Sequence, residues 1–186
     1  MKCLILYWSA GGNTEKIAEE INSVMLEQSI SVDLIKITED LNIDLFDYDL
    51  VFLGAPSYQW IPPVPVQKFI KNTMERYRGG IRPIGAPKKS GKFGVVFCTF
   101  CGVHTGLKEG NVAGKYMAQF FEHIGIFVLD EWYTPGKFHG WDEGNRFGKM
   151  GDISNRPDEK DLTIIRNNTM ELLLGLNFYQ ETDKRI

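Results

Sequence analysis

The chain has 186 residues, enough for one sizeable core, and its 43% hydrophobic and 24% charged content is ordinary for a globular protein. A formal charge of -3 leaves no basic footprint for nucleic acid and no polybasic surface for anionic lipid. No apolar run approaches the roughly 20 residues that span a bilayer, and an odd count of 3 cysteines makes no disulfide framework. A single cytoplasmic domain over residues 1–186 is expected, with neither nucleic acid nor membrane as partner.

In chain order, the first apolar run is CLILYW from Cys3, followed by a polar knot, SAGGNT, from Ser9 to Thr14. An amphipathic segment comes next, with Ile17, Ile21, Val24 and Met25 on one face. The second run, VDLIKI from Val32, alternates and reads as an edge strand. The third, LVFLG from Leu50, the fourth, FGVVFC from Phe93, and the fifth, IFVLD from Ile126, are nearly continuous, as strands buried on both faces of a parallel sheet must be. Pro65 can open a helix carrying Val66, Phe69 and Ile70. Helical spacing also predicts a face of Val112, Tyr116, Phe120 and Ile124, and a last helix with Leu162, Ile165, Leu172, Leu173 and Leu176. Alternation of this kind predicts a three-layer α/β sandwich with right-handed crossovers.

Ligands of open α/β sheets sit beyond the carboxyl ends of the strands. The knot after the first strand leads into a helix whose first N–H groups are unpaired, so it suits an anion, and a phosphate is the natural guest. No Lys or Arg lies between Tyr7 and Glu15, which leaves backbone N–H groups and the hydroxyls of Ser9 and Thr14 as donors. The alternative is a plain turn in which Asn13 or Thr14 caps the helix. No G-x-G-x-x-G fingerprint is present. The stretch GAPKKSGKF, Gly85 to Phe93, approximates a Walker loop but is one residue too long, ends in Phe, and precedes a strand instead of following one.

After the third strand come Pro56, Ser57, Tyr58, Gln59 and Trp60, where an aromatic ring can stack on a planar ligand. Trp60 is the first candidate and Tyr58 the second; either could instead cover the turn at Pro62 and Pro63. After the fourth strand, Thr99, Phe100, Cys101, Gly102, His104, Thr105 and Gly106 combine a ring, hydroxyls and flexible backbone. Cys98 and Cys101 form a C-x-x-C, but Cys98 ends a strand, whereas a redox dithiol begins a helix. With no second such pair a zinc site lacks ligands, and no metal is expected. The stretch from about 131 to 156 reads as a long loop holding Trp132, Tyr133, Phe138, Trp141 and Phe147. Five large aromatics argue against disorder, and they have three candidate targets: the ligand pocket, a second copy of the chain, or the sheet edge.

YWSAGGNTEKIAEEI resembles the phosphate loop of the flavodoxin family, with Gly11 where the family has Thr. DYDLVFLGAPSYQW and VVFCTFCGVHTG are similar to the family's third and fourth strands with their flavin loops. The resemblance implies a flavodoxin-like five-stranded parallel sheet of order 2-1-3-4-5 and FMN as cofactor. Ser9, Ala10, Gly11, Gly12, Asn13 and Thr14 would hold the phosphate, and residues 56 to 60 and 99 to 106 the isoalloxazine ring. It implies electron transfer to a redox partner protein or a small acceptor. A one-electron carrier is preferred to an FMN-dependent NAD(P)H reductase of a quinone or similar acceptor, because no pyridine-nucleotide motif is present; assembly into a homo-oligomer stays open. No residue is assigned a catalytic role.

Overall fold

A computed structural model describes residues 1–78 and 89–183. Gly85 to Lys88 of the Walker-like stretch lie outside the described residues. Five strands, β1 (Lys2–Tyr7), β2 (Ser31–Lys36), β3 (Leu50–Pro56), β4 (Phe93–Phe100) and β5 (Phe127–Pro135), form one sheet in the order β2-β1-β3-β4-β5. All four pairings are parallel. Parallel neighbours require crossovers, supplied by α1 (Asn13–Glu27), α2 (Val64–Tyr77) and α3 (Lys108–Ile124); α4 (Asp142–Phe147) and α5 (Glu159–Asp183) follow β5.

Alternation along each strand divides the core in two. Leu4, Leu6, Val51, Leu53, Val96 and Cys98 face α2 and α3, where Val66, Phe69, Ile70, Met117 and Phe121 pack on them. Cys3, Ile5, Tyr7, Phe52, Val95 and Phe97 face α1 and α5, meeting Ile17, Ile21, Met25, Ile165, Leu173 and Leu176. Arg166 of α5 joins both Glu20 and Glu27 of α1, adding a polar tie to this apolar seam. Among the described residues no helix is long and apolar enough to cross a membrane.

Two sequence expectations change. The buried face of α3 is Ala113, Gly114, Met117, Phe120, Phe121 and Ile124, whereas Val112 and Tyr116 are exposed. The helix packs closely through small residues, because the Tyr133 ring fills the space beside Gly114 that a Cβ would take. Secondly, Trp132 and Tyr133 are not in a loop: β5 runs on to Pro135, paired with β4 as far as Phe100. Trp132 lies on the α1 side, its ring 5.8 Å from that of Phe52, and Tyr133 packs on the α3 side. This also corrects the reading of the fifth run as a strand buried on both faces: β5 is an edge strand like β2, and the charges of Asp130 and Glu131 fit that position.

Candidate functional site

β1 and β3 end beside β4 at one edge of the central sheet, so the segments that follow them converge. They enclose a cavity of ≈ 900 Å³, within the upper range of about 300–1,000 Å³ for small-molecule sites. Fourteen of the predicted residues line it: Ser9, Ala10, Gly11, Asn13 and Thr14 from the first segment, Pro56 to Trp60 from the second, and Phe100, Cys101, His104 and Thr105 from the third. Gly12, Thr99, Gly102 and Gly106, also expected at the site, do not line it.

At the head of α1, the cap is Gly12 with left-handed backbone (φ 90) and no side-chain cap hydrogen bond. Neither Asn13 nor Thr14 caps the helix, contrary to the capping expectation. Ser9, itself buried, accepts the Gly12 N–H at its Oγ, a 3.0 Å bond that folds the knot and leaves the Ser9 hydroxyl proton to donate. Thr14 Oγ1 lies 2.8 Å from Thr99 Oγ1. One hydroxyl proton closes that bond, so the pair keeps one for a ligand. The first N–H groups of α1, open to the cavity and without a side-chain cap, complete a cradle with the donor chemistry of a phosphate site.

On the second wall, Tyr58 N–H donates to Ile61 O at 2.9 Å and Ile61 N–H returns to Tyr58 O at 3.2 Å. Gln59 (φ 49) and Trp60 (φ 70) between them both take left-handed backbone, which is costly for residues with side chains. Trp60 is 59% exposed while Trp8 supports Tyr58 edge-on at 5.8 Å. Ser57 anchors the same segment to the third wall through Thr99 O and Glu109 O.

The third wall is held by Glu109, in the first turn of α3, whose Oε1 accepts the N–H groups of His104 and Thr105, each at 2.7 Å. Partial burial pushes its carboxyl up, but the Thr105 and His104 N–H groups outweigh this and hold it below its usual value. His104 therefore has an acidic neighbour, although no carboxylate lies between Thr99 and Leu107. Cys101 Sγ donates to Glu109 Oε2 at 3.6 Å, and Cys98 Sγ points to Gly110 O at 3.6 Å. Burial raises both thiols, which leaves neither a ready thiolate nucleophile. Among the described residues no cluster of His, Cys, Asp and Glu could hold a metal ion.

A roof comes from the aromatic-rich stretch after β5, for which the ligand pocket was one of three candidate targets; its Lys137 and His139 are not among the expected site residues. After β5 the chain folds back over the knot: Gly136 N–H donates to Phe100 O at 2.8 Å, and Asn13 Nδ2 donates to Lys137 O at 2.8 Å. Lys137, Phe138, His139 and Trp141 thereby join the lining, with Val103 and Glu109. Trp141 sits 5.8 Å from the His104 ring and 6.1 Å from Phe138. Asn145 fixes the roof by both donating to and accepting from the Phe138 backbone at 2.8 Å. Of the five aromatics, Trp132 and Tyr133 cover the sheet edge, Phe138 and Trp141 cover the cavity, and Phe147 remains exposed.

A doubly wound sheet of this order with an anion cradle after β1 defines the flavodoxin-like class. Residues 4–79 match the family model of the flavodoxin domain. A curated flavodoxin of Clostridium beijerinckii is 45% identical over 54 residues, which span 28% of this chain and 38% of that relative. Over nearly the whole chain the fold matches two solved flavodoxins. One, from the domain Archaea, has a TM-score of 0.64 at 18% identity and covers 95% of this chain and 99% of its own. The other is flavodoxin 1 of Bacillus cereus, with a TM-score of 0.67 at 19% identity and covering 93% and 97%. Over residues 4–79 the chain is thus similar to the flavodoxin domain, and its fold as a whole is flavodoxin-like.

Proposed function

We propose that the protein is an electron-transfer flavoprotein whose cofactor, FMN, occupies the cavity between the knot, the Tyr58–Ile61 turn and the roof. When bound, the flavin supplies reversible one- and two-electron chemistry. The observation that carries the reading is the uncapped head of α1, with backbone N–H groups and two spare hydroxyl protons opening onto an aromatic-walled cavity. Ser9, the 11–14 backbone and Thr14 would bind the phosphate. Trp60 would stack on the ring, and the 101–105 backbone would meet its polar edge.

A one-electron carrier working with a redox partner in the cytoplasm is the leading role; three free cysteines suit a reducing compartment. The roof favours a second reading, NAD(P)H-dependent reduction of a small planar acceptor, since Phe138 and Trp141 cover ground that a docking protein would need open. Acid release and chromatography should identify FMN, and anaerobic titration decides between the roles. Two resolved one-electron steps with no response to NAD(P)H support the carrier. A single two-electron step with rapid NAD(P)H oxidation supports the reductase, and failure to retain any flavin after reconstitution overturns both.

A further inference from the structure

Family-type phosphate binding, as the knot itself displays it, uses neutral donors: no Lys or Arg occurs from Trp8 to Thr14. The described structure brings basic side chains to the knot from a distant part of the chain. The imidazole of His139 lies against Gly11, so close that a Cβ on Gly11 would meet its Cδ2 and Nε2 at 2.3 Å. Two residues earlier, the Lys137 carbonyl is tied to Asn13, the first residue of α1, and Lys137 lines the same cavity. Asp142 and Glu143 follow on α4, yet among the described residues no ion pair engages Lys137 or His139. The absence of Thr at position 11 and the presence of a ring there are spatially one event, because any side chain at Gly11 would displace the imidazole.

We infer that Lys137 and His139 form a basic clamp for a terminal phosphate monoester, making the roof part of the phosphate site. The inference rests on the FMN reading above. The Lys137 ammonium supplies charge and the His139 ring N–H supplies a directed donor, replacing the hydroxyl that position 11 lacks. Charge-assisted bonds of this kind outweigh neutral ones about twofold, so the clamp should dominate discrimination between FMN and riboflavin.

The test measures FMN and riboflavin dissociation constants by flavin fluorescence for the wild type, Lys137→Gln, His139→Gln and His139→Ala, each checked for an unchanged unfolding midpoint. Expected is a loss of roughly tenfold or more in FMN affinity for Lys137→Gln and His139→Gln, a riboflavin affinity changed by less than about twofold, and a shallower salt dependence of FMN binding in Lys137→Gln. In the wild type, the ¹⁵N resonances of the His139 ring should move on adding FMN and stay in place with riboflavin. Equal losses for both flavins, or unaltered FMN binding in all variants, would overturn the clamp while leaving the FMN reading intact. Tighter FMN binding in His139→Ala would show instead that the ring blocks the cradle. If neither flavin binds the wild type, the underlying FMN reading fails, and the clamp with it.

Discussion

Thr14 Oγ1 and Thr99 Oγ1 meet at 2.8 Å, joining the head of α1 to the end of β4, and both side chains are almost wholly buried. Valine at either position strands the other hydroxyl, which costs about 1–3 kcal/mol. Thr14→Val and Thr99→Val should therefore each lower the unfolding free energy by that amount in urea titrations. The double variant should lose less than the sum, since two valines leave nothing unpaired. Strict additivity would mean that the hydroxyls act independently.

The Gln59–Trp60 turn sets stability against ligand contact. Left-handed backbone at a residue with a Cβ costs roughly 1–2 kcal/mol, partly offset in a glycine variant by the entropy of the unfolded chain. Gln59→Gly should stabilise the empty protein by about 0.5–1 kcal/mol with little change in flavin affinity. Trp60→Gly should stabilise it similarly while weakening FMN and riboflavin alike, because the stacking surface goes. Loss of stability in both variants would show that the turn is not strained.

Glu109 predicts an acid-sensitive wall. Its folded value is lowered by the Thr105 and His104 N–H groups against the opposing effect of burial. The stability it contributes is thus complete above the unfolded value of 4.5 and disappears as pH falls through the lower folded value. Glu109→Gln should flatten the stability profile in that acid window and leave its shape near neutrality unchanged, as read by urea unfolding across pH. An identical acid slope in the variant would remove Glu109 from this role.

The thiols should be quiet. Burial pushes Cys3 up to about 12 and raises Cys98 and Cys101 as well. Of the three, only Cys101 has partial exposure, so a native thiol-reagent titration should show at most one slow equivalent at neutral pH, and all three after unfolding. Fast reaction of Cys98 together with Cys101 would revive the redox dithiol.

Much of the scaffold was legible because parallel strands buried on both faces leave unbroken apolar runs, and α1 shows its buried face in Ile17, Ile21 and Val24. The face of α3 was not legible in the same way. Its contact surface includes Ala113 and Gly114, which weigh little in a hydrophobic pattern, so the stripe was read one position off through Val112 and Tyr116. For the site, the segments after β1, β3 and β4 could be found because chain order and strand ends coincide there. The roof could not: Lys137 meets Asn13 across 124 residues through a backbone carbonyl, which no side-chain motif announces. The density of aromatics after Glu131 was the available signal, but two of those rings turned out to belong to a strand.

Every strand in this sheet pairs in parallel, so no wall of the cavity is contiguous in sequence with the next. Ser9, Tyr58, Phe100 and Phe138 become neighbours only once all five strands are in register. Such long-range pairing is slow to form, and the pocket is a property of its completed state alone. A ligand held there can act only after the barrier has been crossed, so saturating flavin should leave the refolding rate constant as it is and lengthen the lifetime of the folded chain.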